Sequence, residues 1–176
     1  MKKFGGKVMF LDRDNINTDE IIPAKYLTEI EKEPLKEHLL EDLEDEGLDP
    51  TQVNWEEYGA IVSKSNFGCG SSREMAAWAF EINGINVIVA SNFARIFREN
   101  AFNCGMLAIS LSEEEIEQLF QTFSAKPNVS LDVDLESQTL TFSSDGVKQQ
   151  QSFKINQFEK DLVLAGGWVE LADQKY

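Results

Sequence analysis

Between Ala60 and Phe123 short, almost wholly apolar runs alternate with amphipathic ones, and this alternation constrains the fold more than any other feature of the chain. Ala60-Ile61-Val62, Ile85–Ala90 and Met106–Ile109 have the continuous apolar character of strands buried on both faces of a parallel sheet. The segments between them read as helices. One runs from about Ser72 to Ile82, with Met75, Trp78, Ala79 and Ile82 on its apolar side, and Asn83-Gly84 ends it. A second, capped by Ser91 or Asn92, reaches about Asn103. A third opens at the capping box of Ser112 and Glu115 and continues through Phe123. Strand and helix in alternation imply an α/β fold.

The flanks add to this unit. Val8–Leu11 reads as a first strand, followed by a polar loop from Asp12 to Asp19, and Pro23 discourages helix just before it. Leu35, Leu39 and Leu43 recur at helical spacing behind Pro34, within a charge-rich run from Glu29 to Glu46. A mostly solvated helix is expected there, a charged helical lid or insertion at about residues 29–57, closed by Gly47 and Asp49-Pro50. After Pro127 the period becomes two: Val129–Leu135 is answered by Thr139–Phe142, and Asp145-Gly146 is a turn signal. These are expected as antiparallel strands added to the sheet. Phe153–Leu164 is expected to hold a last strand and a short helix. At 176 residues the chain suits a single domain spanning 1–176.

Charge narrows the function. The formal net charge of −15 repels nucleic-acid backbones, and it would repel an anionic substrate at long range. Any acid must therefore be held in a local pocket of arginines and backbone N–H groups. No apolar run approaches the roughly 20 residues that span a bilayer. The basic start, Met1–Lys7, leads into no signal-like apolar stretch, so a cytoplasmic protein is expected. Cys69 and Cys104 are the only cysteines and His38 the only histidine. Two thiols cannot hold an iron–sulfur cluster, which takes three or four, so no metal ligand set is expected on this chain.

Asn66-Phe67-Gly68-Cys69-Gly70-Ser71-Ser72-Arg73-Glu74 concentrates the chemistry. A strand enters it and a helix leaves it. N–H groups at a helix N-terminus favour anions, and Gly70 lets the backbone approach a ligand closely. Arg73 can grip a carboxylate through two parallel bonds. The same field stabilises a serine alkoxide, so one loop could hold a carboxylate and place a base beside its α-carbon. The simpler reading is a helix start, since Ser71 and Glu74 match the capping pattern S-x-x-E. Nucleotide-binding patterns fail: Arg73 stands where G-x-G-x-x-G needs its last glycine, and no Gly-Lys-Ser/Thr follows.

This stretch resembles the signature of the small, swivelling domain of the aconitase superfamily. Asn17-Thr18-Asp19-Glu20-Ile21-Ile22-Pro23, Ser91–Phe97 and Asn100–Gly105 resemble that family's other motifs, in the same order. The alternating tail Val129–Leu135 is similar to that of bacterial 3-isopropylmalate dehydratase small subunits. The resemblance implies a swivelling β/β/α domain with a mixed sheet flanked by helices. It implies docking on a large subunit that carries a [4Fe–4S] cluster, and hydro-lyase activity on a small hydroxy diacid. Position by position, Ser71 matches the family's catalytic base, and Ser72 and Arg73 its substrate-binding residues. Asp19 and Glu74 are supporting candidates, although a turn or cap is the simpler role for Asp19. The position after Tyr26-Leu27 resembles a specificity switch. Arginine tends to stand there for tricarboxylates and an uncharged residue for isopropylmalate; here it is Thr28. Related alternatives are dimethylmalate dehydratase and homoaconitase. The family usually has histidine after the Ser-Ser-Arg-Glu run, but this chain has Met75, the best support for a non-enzymatic interaction module of the same fold.

The remaining polar and aromatic residues read as structural. Cys69 is expected to pack rather than react, and Arg95 and Arg98 to lie on the surface. His38 is expected to be solvated, and Trp78, Phe93 and Phe97 to be core.

Overall fold

A computed structural model describes residues 2–26, 28 and 31–175. Among these residues seven strands form one mixed sheet in the order β4-β3-β2-β1-β5-β6-β7. Its first half is parallel: β1 (Gly5–Phe10), β2 (Ala60–Val62), β3 (Val87–Ala90) and β4 (Leu107–Ser110). Val8, Ala60, Val87 and Leu107 stand at one level across it. β2 and β3 are buried at every position, as their unbroken apolar runs require.

The second half is antiparallel: β5 (Ser130–Asp134), β6 (Thr139–Ser144) and β7 (Val147–Ser152). β5 joins β1 antiparallel, so the period-two tail does extend the sheet. Leu131, Leu140 and Phe142 face the core, and Phe142 packs against Phe123 at 6.1 Å. Asp145 and Gly146 both have positive φ, 50° and 77°, the form of turn whose twist matches a two-residue hairpin. β7 is a polar edge, where Lys148 and three glutamines discourage pairing with another chain.

Six helices flank the sheet among the described residues: α1 (Thr18–Ile21), α2 (Glu74–Ile82), α3 (Arg95–Asn103), α4 (Glu113–Phe123), α5 (Gln157–Ala165) and α6 (Trp168–Lys175). None is long and apolar enough to cross a membrane. The Ser112–Glu115 capping box opens α4 as expected.

Several expectations are corrected. Among the described residues of the charged run no α-helix forms: Glu33–His38 is a 3₁₀ turn. Leu35, Leu39, Leu40 and Leu43 all reach the core, and the left-handed φ of 57° at Leu40 breaks any continuous helix between them. Glu29 and Ile30, at the start of that expected helix, lie outside the described residues, as do Met1, Leu27 and Tyr176. The buried side of α2 is Ala76, Ala77, Ala79 and Phe80; Met75, Trp78 and Ile82 are only half-buried. Neither Ser91 nor Asn92 caps α3, whose N-cap is Ala94. The last strand precedes Phe153, and α6 follows a helix that was the only one expected at the C-terminus.

Candidate active site

Three loops leave the C-terminal ends of β1, β2 and β3 and are laced together. Gly68 donates its N–H to Ile16 O at 2.8 Å, and Thr18 donates to Cys69 O at 2.8 Å. Phe67 donates to Asn92 O at 3.1 Å, and Ala94 to Phe67 O at 2.9 Å. Isolated bridges join Asn17 to Cys69 and Phe67 to Phe93. Ligands of α/β sheets bind at this end of the strands. Asn92 is not free to cap α3, because its Oδ1 accepts the Asn66 N–H at 2.6 Å and fixes the loop entrance.

The glycine-rich loop rests on aromatic rings. Phe67 lies 5.4 Å from Phe97 and 5.9 Å from both Phe80 and Phe93. Gly68 has φ +81°, and a Cβ there would sit 2.2 Å from the Phe97 ring, so only glycine fits. Phe97 is core, whereas Phe93 and Trp78 are half-buried at its edge.

The capping-box reading of Ser71 and Glu74 fails. Arg73 is the N-cap of α2, in extended conformation at φ −127°, ψ 117°, with no side-chain cap. α2 therefore starts at Glu74, and Ser71 and Ser72 stand exposed ahead of it. The serines are left to the loop, and the first turn of α2 keeps its N–H groups free of any side-chain cap, the condition for binding an anion.

Arg73 is ion-paired through Nη1 with Asp19 of α1. α1 is itself held by a box in which Asn17 and Glu20 cap each other. Behind it Arg13 grips Glu20 with both terminal nitrogens, Nη1 and Nη2, at 2.9 and 3.0 Å. Burial acts to raise the Glu20 carboxyl, but the Arg13 guanidinium and the N–H groups of Glu44 and Asn17 outweigh it and hold that carboxyl below its ordinary value. A chain of contacts thus runs from Arg13 through Glu20 and α1 to Asp19 and Arg73. Sequence reasoning missed Arg13 and Glu20, although Asn17-x-x-Glu20 has the spacing of a capping box.

A cavity of about 110 Å³ is walled by Thr18, Gly70, Ser71, Ser72, Arg73 and Arg95 among others. It gathers the expected base and carboxylate-binding residues. Glu74 is exposed at the start of α2, outside that wall. Met75 packs against the core beside it. Thr28 is exposed in a turn and does not line the cavity. Its loop is tied down by Glu41, which accepts from Tyr26 Oη at 2.8 Å and contacts His38 Nδ1 at 2.9 Å. His38 stacks on Tyr26 at 3.9 Å, so the expected solvated histidine is a packing residue. A larger concavity of about 650 Å³ lies between Asp12, Arg13 and Glu44–Glu46, but three of those five residues are from one acidic run and none belongs to the serine loop.

The thiols do not fit a cluster, which binds thiolates. Burial pushes the Cys104 thiol up to about 12, and burial likewise raises Cys69. Among the described residues no three histidine, cysteine or acidic side chains gather where a metal could be held. Arg95 pairs with Glu99 at 3.1 Å on the surface of α3, and Arg98 pairs with Glu159 of α5.

Residues 1–114 match the family described as Aconitase C-terminal domain. The chain is 40% identical to a 3-isopropylmalate dehydratase small subunit of Leptospira interrogans, over 94% of this chain and 85% of that protein. It is 37% identical to one from Christiangramia forsetii, over 90% and 80%. The solved structure of a 3-isopropylmalate dehydratase from Methanocaldococcus jannaschii aligns with a TM-score of 0.76 at 28% identity, covering 98% of this chain and 94% of that one. The chain belongs to the family of 3-isopropylmalate dehydratase small subunits, within the aconitase C-terminal domain family.

Proposed function

We propose that this chain is the small subunit of a cytoplasmic, heteromeric hydro-lyase. It interconverts 2-isopropylmalate and 3-isopropylmalate by dehydration and rehydration, a step of leucine biosynthesis. The observation that carries the reading is the uncapped Gly70–Arg73 turn at the strand ends, with the Arg73 guanidinium already oriented by Asp19. Arg73, Ser72 and the N–H groups of the α2 start bind one substrate carboxylate and the charge that develops on it. Ser71 takes the proton from the carbon next to that carboxylate and returns it in the reverse step.

The site is half a site. Pockets that enclose small ligands run to about 300–1,000 Å³, well above the 110 Å³ here. The missing wall is assigned to a large subunit. A [4Fe–4S] cluster on that subunit supplies Lewis acidity toward the departing hydroxyl. The small chain alone should be colourless and inactive. Reconstitution with its co-expressed large subunit should restore turnover of 2-isopropylmalate, and turnover by the isolated small chain would overturn the assignment.

A further inference from the structure

One group in the cavity wall has its hydrogen bonding incomplete. Thr18 is 2% exposed, and its Oγ1 is fully buried without a partner. Its backbone is satisfied: the N–H donates to Cys69 O at 2.8 Å, and the carbonyl accepts from Ile22 N at 3.0 Å. The hydroxyl is not needed as a cap, because Asn17 and Glu20 already cap α1. Nor does shape require it, since valine would fill the same volume without burying a polar atom.

The surroundings indicate where its bond goes. A Cβ built on Gly70 would lie 3.3 Å from Thr18 Oγ1, closer than to any other side-chain atom. Gly70 carries none and has φ +97°, so bare backbone faces the hydroxyl just before Ser71. Thr18, Gly70 and Ser71 line one cavity. A buried hydroxyl left unpaired calls for an explanation, and a bond completed in the working complex provides one.

The geometry points to Thr18 as a positioning residue for Ser71, its hydroxyl donating to Ser71 Oγ when substrate and the large subunit draw the Gly70–Ser71 turn onto α1. The inference rests on Ser71 acting as the base. The donated bond stabilises the deprotonated Ser71. The proton abstracted from the substrate carbon then resides on Ser71 Oγ, while the Thr18 proton stays on Thr18.

The test uses Thr18→Val and Thr18→Ser small subunits reconstituted with the large subunit. Because the hydroxyl is orphaned in the free chain, Thr18→Val should leave the melting temperature of the free subunit unchanged or raised. In the complex it should lower kcat about a hundredfold, the scale of losing one preorganised donor to a developing anion. KM for 2-isopropylmalate should stay near normal. The limb of the kcat–pH profile that reports base deprotonation should move to higher pH, because the alkoxide has lost a donor. Thr18→Ser should restore both kcat and the profile. Normal kcat with an unshifted profile in Thr18→Val overturns the assignment. So does a raised KM at constant kcat, which marks a substrate contact instead, and so does a lower melting temperature with normal kcat, which marks a structural hydroxyl. Ser71→Ala, run alongside, separates the two layers. Turnover that survives Ser71→Ala removes the base reading and this inference with it, whereas a dead Ser71→Ala beside a normal Thr18→Val removes only the inference.

Discussion

The Arg73 guanidinium is paired through a single nitrogen, Nη1, with Asp19, which leaves its other edge for a ligand. Asp19 is 63% exposed in its side chain and Arg73 only 18%, so the carboxylate is the outer member of the pair and the arginine is largely covered. Such an arrangement orients a planar fork before the substrate arrives, which lowers the ordering cost of binding. Arg73→Lys keeps the charge and loses the fork. Bonds to charged groups are worth about 1.5–3 kcal/mol, so KM for 2-isopropylmalate should rise about tenfold or more. Asp19→Asn should raise KM less, because Arg73 survives but is no longer held. Steady-state kinetics on the reconstituted complex measure both, and an unchanged KM in Arg73→Lys removes Arg73 from the site.

Ser71→Ala separates catalysis from folding. Ser71 caps nothing, since α2 begins at Glu74 with Arg73 as its uncapped N-cap. The variant should therefore melt within about 0.5 kcal/mol of the parent, the usual range for an exposed substitution. Its kcat should fall by about a thousandfold or more, as for loss of a general base. Thermal denaturation and turnover, measured on the same preparation, decide between this outcome and a helix-capping role.

The parallel half of the sheet was legible because strands buried on both faces cannot carry polar residues, and β2, β3 and β4 do not until Ser110 at the end. The Gly68–Arg73 loop was legible from residue chemistry. Its local geometry was not: S-x-x-E around Ser71 looks like a cap, and only the extended Arg73 shows otherwise. α1 is four residues long, too short for a period to reveal it. The Leu35–Leu43 spacing suggested a helix, but the 3₁₀ turn ends at His38 and Leu40 takes a left-handed φ, a backbone break that the spacing of leucines does not encode. Arg13–Glu20 and Tyr26–Glu41 are set by tertiary placement of loops, which no local pattern encodes.

Acid should loosen the site before the core. Glu20 and Asp14 both have carboxyls held below their ordinary values. For Asp14 the causes are bonds from the Ser65 hydroxyl and N–H. A depressed folded value means the unfolded chain takes up the proton more readily. The stabilisation is thus fully present above the ordinary values, 4.5 for glutamate and 3.8 for aspartate, and is lost as pH falls through the lower folded values. Denaturant melts at stepwise pH should show stability dropping below about pH 4.5. Arg13→Gln should start less stable and lose less over the same interval, because Glu20 has lost the guanidinium that depresses it. An equal acid loss in both chains would contradict the role given to Arg13.

Substrate choice is the last prediction, and it turns on Thr28. A small neutral residue there cannot neutralise a third carboxylate, and an unpaired charge in a desolvated site is costly, so isopropylmalate or a near alkyl-malate should be preferred to tricarboxylates such as cis-homoaconitate. Lys25 is the nearby cation that could have blunted this preference. Its ammonium lies 3.6 Å from Glu41 and 5.3 Å from the Tyr26 ring, so a carboxylate of the chain already faces it. Thr28 itself is exposed and does not line the serine cavity, so its part in substrate choice is a prediction for the assembled complex. In a competition assay on the reconstituted complex, kcat/KM should favour isopropylmalate, and Thr28→Arg should shift the ratio toward the tricarboxylate. Glu41→Ala provides the control. It removes the acceptor shared by Tyr26, His38 and Lys25, so it should free the Lys25 charge and unpin the loop, moving the ratio in the same direction but less than Thr28→Arg. A parent complex that prefers cis-homoaconitate would refute the assignment of Thr28.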